Sequence, residues 1–199
     1  MNKYNFSSEW IHKQESLRHW MYYWHQVRIL LAETSKDDTI LEIGVGTRFT
    51  SNYLKSKGYQ VTTIDIDKEK KPDIVANIVE YEFKEKYDHI IAFEVFEHLP
   101  FEDFTQILSK LRSVTAKSFI LSLPRNEKVW LDLNMELPGS KEFRIKIASR
   151  RNKIISKHHY WEVDYKNYTN AFLKKEFAAN GFDLASIEKI HSLFYYVAK

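Results

Sequence analysis

The chain has 199 residues, a formal net charge of +3, 44% hydrophobic residues and no cysteine, a composition typical of one globular domain with room for a core. The absence of cysteine excludes disulfide frameworks, thiolate metal sites and cysteine nucleophiles. No window approaches the ~18 apolar residues of a membrane-spanning helix, and the amino terminus has no signal-peptide pattern. We therefore expect a single cytoplasmic domain over residues 1–199, with no membrane partner and an oligomeric state that the sequence leaves open.

The first predicted element is a helix from Ser7 to Glu33, a stretch without proline or glycine. It is unusually aromatic, with tryptophan at positions 10, 20 and 24. Three tryptophans so close together cannot all fill a small core, and rings with a polar tip suit a partly wet binding wall. The helix can equally cover a sheet edge. We describe residues 1–36 as an aromatic helical cap and leave both roles open.

A short apolar strand, Ile40-Leu41-Glu42-Ile43, runs into Gly44-Val45-Gly46, and a helix-compatible segment follows. This pattern indicates a buried parallel strand that turns sharply into a helix. Glycine has no Cβ atom, so a ligand can lie against the main chain at this corner. The start of the following helix adds unpaired N–H groups and partial positive charge.

These residues resemble motif I of the class I S-adenosylmethionine-dependent methyltransferases, in which an acidic residue precedes G-x-G. The resemblance implies that Glu42 and the Gly44-Val45-Gly46 corner contact S-adenosylmethionine, with Glu42 near its methionine end. A nicotinamide-dependent oxidoreductase is a more distant alternative. Arg48 stands near the third glycine of the dinucleotide fingerprint, where a pyrophosphate needs a close approach.

The second predicted strand, Gln60 to Ile64, is rich in β-branched residues and ends at Asp65. A carboxylate at this tip can accept both ribose hydroxyls of a nucleotide or of S-adenosylmethionine. Residues 68–71 leave room for a turn only, and a third strand is predicted at 72–78.

The family ends its third strand with an aspartate beside the adenine amino group. Asn77 stands there in this chain, and its amide oxygen can still accept a hydrogen bond from that amine. We expect Ile66 and Ile78 to line the adenosine side of the same site.

Tyr87 to Phe93 is predicted to be a central parallel strand, since it is almost continuously apolar. It runs into Glu94-Val95-Phe96-Glu97-His98-Leu99, which resembles an E-V-x-E-H-L motif of class I methyltransferases that act on small molecules. The resemblance puts Phe93 and Glu94 near the methionine moiety and His98 toward the acceptor, where it is a candidate base.

Glu94, Glu97 and His98 would share one face if the segment were helical. Some methyltransferases resembling this chain, including ubiquinone-pathway O-methyltransferases and small-RNA 2′-O-methyltransferases, hold a divalent metal with this set, and the metal lowers the pKa of a hydroxyl. Other relatives have the same letters without metal. Metal ligation by all three, a base at His98 and a structural role therefore stay open.

A helix at 101–111 and a fifth strand at 118–124 are predicted next. Residues 126–157 fit no framework element. The family usually inserts its acceptor lid here, so we predict a lid over 126–166.

The run 141–159 carries seven basic residues against one acid. It can contact phosphate, as in RNA, or form a solvated face. In the following His158-His159-Tyr160-Trp161-Glu162 cluster, His159 is a candidate base or a further metal ligand facing His98. An ordinary surface role is the alternative.

A helix at 168–180 and strands at 183–190 and 193–198 complete the pattern. The resemblance implies an α/β Rossmann-like doubly wound sheet of seven strands, the last antiparallel, with helices on both faces. It also implies methyl transfer from S-adenosylmethionine to an acceptor that the sequence does not identify, with a small molecule favoured. The alternatives are a metal-assisted RNA 2′-O-methyltransferase and a non-catalytic S-adenosylmethionine-binding protein.

Overall fold

The computed structural model describes residues 8–137 and 141–199. Residues 1–7 of the predicted cap and residues 138–140 of the predicted lid lie outside the described part. The strands are β1 (Thr39–Ile43), β2 (Gln60–Asp65), β3 (Ile74–Val75), β4 (Tyr87–Phe93), β5 (Thr115–Pro124), β6 (Glu127–Leu137), β7 (Lys141–Arg150), β8 (Leu184–Ile190) and β9 (Leu193–Ala198). The helices are α1 (Ser8–Gln14), α2 (Leu17–Glu33), α3 (Phe49–Ser56), α4 (Phe101–Val114) and α5 (Asn170–Ala179), with 3-10 turns at Lys68–Lys70 and Phe96–His98.

Seven strands form one sheet in the order β3-β2-β1-β4-β5-β9-β8, and β6 and β7 pair separately. The first five strands in this order, β3, β2, β1, β4 and β5, are parallel to one another. Strand β9 is antiparallel to both β5 and β8. The predicted doubly wound sheet with an antiparallel last strand is confirmed. None of the described helices is long and apolar enough to cross a membrane.

Helices cover both faces of this sheet because its central strands are apolar on both sides. In β1, Leu41 faces a core that includes residues of α4 and α5, while Ile40 faces a second core with residues of α2 and α3. The two cores enclose the strands between them. The carboxyl ends of β1, β2 and β4 are thereby brought to one edge of the sheet.

Two predicted elements are wrong in extent. The N-terminal helix breaks at Ser16, whose backbone is extended (φ −149°, ψ 172°). Ser16 directly precedes α2, and serine is a preferred residue at helix starts. The third strand ends at Val75 instead of residue 78. The Asn77 carboxamide oxygen accepts the Val79 N–H at 3.1 Å, and this turn competes with a longer strand.

The predicted insertion is an antiparallel hairpin. β6 and β7 pair from Glu127↔Arg150 to Leu137↔Lys141, with a bulge between Val129 and Leu131. The sequence analysis did not anticipate this element.

Candidate functional site

A cavity of about 410 Å³ opens at the carboxyl ends of β1, β2 and β4. All ten residues predicted to contact the cofactor line it: Glu42, Gly44, Val45, Gly46, Asp65, Ile66, Asn77, Ile78, Phe93 and Glu94. Glu97, His98 and His159 line it as well. The predicted cofactor side and the predicted acceptor side are therefore parts of one continuous space.

The corner after β1 depends on left-handed backbone. Gly44 and Gly46 have φ of +75° and +51°, a region in which side chains are strained. A Cβ atom on Gly44 would lie 2.5 Å from Val95 Cγ2, whereas a Cβ atom on Gly46 would meet nothing within 4 Å among the described atoms. Arg48 also has a positive φ, of 65°, and its guanidinium donates to the main-chain carbonyls of Lys70 and Lys71.

The Asp65 carboxylate is almost fully buried at the tip of β2. Its oxygens accept the N–H groups of Val45 (3.0 Å) and Asp67 (2.8 Å) and pair with Lys70 Nζ at 3.1 Å. Asp65 thus ties the glycine corner to β2. Because a carboxylate has about four acceptor positions, it retains capacity for a hydroxyl donor from the cavity.

Glu42 is a buried carboxyl group on the cavity wall. Its Oε2 atom has no hydrogen-bond partner in the described part of the chain. Burial, the largest influence, raises the pKa of Glu42 to about 8. A positively charged ligand next to this carboxyl group would stabilise its ionised form and would be attracted to it.

Two further acids lie at the end of β4. Glu94 adopts a left-handed backbone (φ 56°) and donates its N–H to Ser122 Oγ at 3.1 Å. Burial, reinforced by the charge of Glu162, raises its pKa to about 8. Burial and the neighbouring Glu94 also raise the pKa of Glu97 well above its ordinary value. Within the described residues, neither oxygen of Glu97 has a hydrogen-bond partner.

His98 is a neutral imidazole whose tautomer is set by the main chain. Its Nδ1 lies 3.1 Å from the His158 carbonyl oxygen, which can only accept, so Nδ1 carries the proton and Nε2 the lone pair. Burial lowers the pKa of His98 to about 4. The ring is therefore uncharged at neutral pH.

His159 lies against His98, with the ring centroids 5.0 Å apart and nearly perpendicular. Its Nδ1 is 2.7 Å from Glu162 Oε1, and Glu162 Oε2 accepts from Asn126 Nδ2 at 2.7 Å. A carboxylate on Nδ1 orients an imidazole and fixes its tautomer. The sequence analysis assigned no role to Glu162 or Asn126. The three-residue spacing of His159 and Glu162 was the available signal for Glu162.

The possible metal ligands differ from the predicted set. Glu97, His98 and His159 have ligand atoms within 4.8 Å of one another and form the one such group in the described chain. Glu94 falls outside it. The reason is local: the chain leaves β4 through the left-handed Glu94 into a 3-10 turn, so the helical face that would align all three predicted ligands does not form.

The N-terminal helices form the outer wall of the cavity. The lining residues from this part of the chain are Trp10, Ile11, His19, Tyr22, Tyr23 and Gln26. Trp20 and Trp24 are half or more exposed and do not line the cavity. One of the three tryptophans therefore meets the expectation of a binding wall, while Ile29 and Leu30 of α2 cover the sheet.

The basic run divides between two environments. Arg144, Lys146 and Arg150 pair with Asp132, Glu127 and Asp164, respectively. Lys153 and Lys157 are exposed. The side chain of Lys141 lies outside the described part.

A family model described as "Methyltransferase domain" matches residues 14–187. The fold is similar to the glycopeptide N-methyltransferase MtfA complexed with sinefungin (TM-score 0.61, 12% identity, 88% of this chain and 92% of that chain). It is also similar to the PH0226 protein from Pyrococcus horikoshii OT3 (0.62, 14%, 93% and 92%) and to the CcbJ methyltransferase from Streptomyces caelestis (0.59, 12%, 89% and 88%). A search of curated protein sequences found no match.

Proposed function

The chain belongs to the methyltransferase-domain family, with the class I fold, and we propose that it transfers the methyl group of S-adenosylmethionine to an oxygen or nitrogen atom of a small-molecule acceptor. One observation carries the proposal: a single cavity joins the glycine corner and Asp65 to the paired imidazoles of His98 and His159. The donor and the acceptor can therefore meet inside one enclosed space.

The charge of the cavity suits this donor. S-adenosylmethionine has an ammonium and a sulfonium group, and Glu42 and Glu94 are buried carboxyl groups with raised pKa values on the same wall. We assign Glu42 to the methionine end and Glu94 to the vicinity of the sulfonium. Asp65 accepts from a ribose hydroxyl, and Asn77, on the adenosine side with Ile66 and Ile78, accepts from the adenine amine.

The reaction is an in-line displacement. A lone pair of the acceptor forms a bond to the methyl carbon as the carbon–sulfur bond breaks, and the sulfur keeps the electron pair. The proton lost by the acceptor passes to Nε2 of His159 or His98. Because sulfonium is a good leaving group, the protein contributes mainly alignment, a dry site and this proton transfer.

The similarity to MtfA, a glycopeptide N-methyltransferase by name, is consistent with a natural-product acceptor. We propose that residues 1–36 and 126–166 act as the cap and the acceptor lid. Support for the lid comes from Ser156, His158 and His159, which line the cavity.

Two measurements test the proposal. Calorimetry should detect binding of S-adenosylmethionine and S-adenosylhomocysteine but not of a nicotinamide dinucleotide. Methyl-labelled S-adenosylmethionine, incubated with panels of amines, phenols and sugar alcohols, should label at least one panel, and His98→Ala/His159→Ala should abolish the labelling without loss of cofactor binding. Binding without turnover on any panel would favour the non-catalytic alternative.

A metal-assisted reaction is the second candidate, favoured by the Glu97, His98 and His159 group. One carboxylate and two imidazoles are a common donor set for divalent transition metals, and the two unpaired oxygens of Glu97 fit a cation. When bound, such an ion lowers the pKa of an acceptor hydroxyl. Manganese titration by calorimetry, with Glu97→Gln as control, tests the site independently of activity.

The acceptor of the metal-assisted reaction could be RNA, whose phosphates the basic run 141–159 would contact. Because three of its cations are paired with acids, fewer remain for phosphate than the sequence suggests. Steep salt dependence of RNA binding would support this candidate, and salt-independent or undetectable binding would remove it.

A further inference from the structure

The hairpin of β6 and β7 has one polar and one apolar face, and its apolar face is the one exposed to solvent. From Leu131 to Met135 on β6 and from Phe143 to Ile147 on β7, the polar residues whose side chains are described (Asp132, Arg144 and Lys146) are less exposed than the apolar ones. The outward face is made of cross-strand pairs, namely Leu131–Ile147, Leu133–Ile145 and Met135–Phe143. Their exposed fractions run from 37% to 54%, whereas a hairpin normally turns its apolar face toward the body of the protein.

The inward face explains the reversal. Arg144 forms two hydrogen bonds with Asp132, at 2.7 and 2.6 Å, and also contacts His191 in the β8–β9 turn. Lys146 pairs with Glu127 and donates to the His191 carbonyl. The Arg144 hydrogen bonds lower the pKa of Asp132 to about 2. In the body of the protein, the ring and the carbonyl of His191 receive Arg144 and Lys146, and Lys189 Nζ lies 3.7 Å from Glu127 Oε2. The polar face therefore lies against the body, and the apolar face remains outside.

The base of the outward face is aromatic and basic. Trp130 is 62% exposed, its indole donates to Ser149 Oγ at 3.0 Å, and Lys128 Nζ lies 3.7 Å from the ring centroid. Beside it, an open groove is lined by Lys128, Arg150, Arg151, Asn152, Lys153 and Ile155. Tryptophan and long cations beside an apolar strip are the combination that lies at a lipid–water interface.

We propose that this outward face docks on the surface of an anionic phospholipid bilayer. The apolar pairs enter the boundary between headgroups and acyl chains, Trp130 lies at headgroup level, and the groove cations contact lipid phosphate. This is surface attachment by a hairpin and involves no membrane-spanning helix, and it departs from the expectation of no membrane partner drawn from the sequence. A contiguous exposed apolar strip of this kind marks an interaction site.

Charge selects the bilayer over a second copy of the chain. By the pairing register, the described positions on the outward face include no acid. The outward face of a second copy would therefore offer no described acid to the groove cations. An anionic leaflet instead supplies counter-charge worth about 1 kcal/mol per basic residue at the surface.

Co-sedimentation with vesicles tests the proposal on the full chain. Vesicles of equal parts phosphatidylcholine and phosphatidylglycerol should bind it about tenfold or more better than phosphatidylcholine alone, with loss in high salt. Leu133→Ser/Ile145→Ser should weaken this binding about tenfold, and Ile187→Ser, a matched change at an exposed strand position on β8, should leave it unchanged. Calorimetry with S-adenosylmethionine checks that each variant is folded.

Two further readouts keep the test decisive if the apolar variant fails to fold. Lys128→Glu/Lys153→Glu should remove the preference for anionic vesicles. Trp emission should shift to shorter wavelength on anionic vesicles, and Trp130→Phe should abolish that shift. Absence of vesicle binding by the unmodified chain would overturn the proposal. The proposal would also be overturned if the chain did not bind vesicles and instead formed a dimer in solution that Leu133→Ser/Ile145→Ser dissociates.

Discussion

Gly44, which follows β1, packs against Val95, which follows β4, so closely that no side chain would fit at position 44. A Cβ atom on Gly44 would lie 2.5 Å from Val95 Cγ2, shorter than any real contact of this kind. The end of β1 and the acidic segment after β4 are thereby held against each other. The cofactor corner and the proposed acceptor side share this contact.

Alanine substitutions at three glycines separate packing from ligand contact. Gly44→Ala should destabilise the fold by roughly 2–4 kcal/mol, because it adds overpacking to a positive φ. Gly46→Ala should cost only the backbone strain of about 1–2 kcal/mol but weaken S-adenosylmethionine binding strongly, since its Cβ points into space reserved for the ligand. Gly58, with φ of +86° and nothing within 4 Å of a built Cβ, is the control. Chemical denaturation and calorimetry measure both effects, and equal cofactor affinity in the Gly46 and Gly58 variants would contradict the assignment.

Binding of S-adenosylmethionine should release protons at Glu42. The free carboxyl group has a pKa of about 8, and a cationic ligand favours its ionised form, so the affinity should rise with pH and level off above about pH 8. Calorimetry in buffers of different ionisation enthalpy counts the protons. Glu42→Gln should reduce the count at pH 7 and flatten the profile, leaving the share of Glu94. An unchanged proton count in this variant would exclude Glu42 from the cation site.

Glu97→Gln should stabilise the metal-free protein at alkaline pH. Burial raises the pKa of Glu97 in the folded state, so stability is greatest below the unfolded pKa near 4.5 and falls as pH rises toward the folded value. The variant removes that loss. Its melting temperature should exceed that of the parent by a few degrees at about pH 8 and match it at about pH 4. Glu82→Gln, at an exposed side chain, should show no difference at either pH.

Glu162 is proposed as a positioning residue that acts through His159. Glu162→Gln should lower kcat by about tenfold or more, with little change in KM, because the amide no longer holds the His159 ring in one orientation and tautomer. His159→Ala should lower kcat further. Loss of cofactor affinity in the Glu162 variant would indicate a structural role only, and an unchanged kcat would contradict the positioning role.

Asp65→Ala should weaken S-adenosylmethionine binding by ~1–3 kcal/mol, the scale of hydrogen bonds to a charged group. Asp65 also accepts the Val45 N–H and pairs with Lys70, so denaturation must accompany the calorimetry. Asp37→Asn, at an exposed position, is the control. An unchanged affinity would show that another group holds the ribose.

The sequence by itself determined the elements whose causes are local. The apolar run before Gly44 and Gly46 predicted the strand–turn–helix corner, and the continuous apolar stretch at 87–93 predicted β4 with its observed bounds. Glycines and strand ends fix local backbone geometry, and together with the family resemblance they named ten residues that all line the cavity. A single Asn–backbone hydrogen bond was enough to shorten β3, and propensity alone does not reveal that competition.

Only the tertiary structure decided which distant groups meet. The sequence analysis left His159 open between a position facing His98 and an ordinary surface role. The structure decided between them, because the chain returns to the sheet edge some sixty residues later and places His159 beside Glu97 and His98. The alternation in β7 was visible in the sequence, but alternation states only that a strand has two different faces. Which face turns inward was decided by the contacts of Arg144 and Lys146 with His191 and of Glu127 with Lys189. These contacts hold the charged side against the body and leave the apolar side exposed.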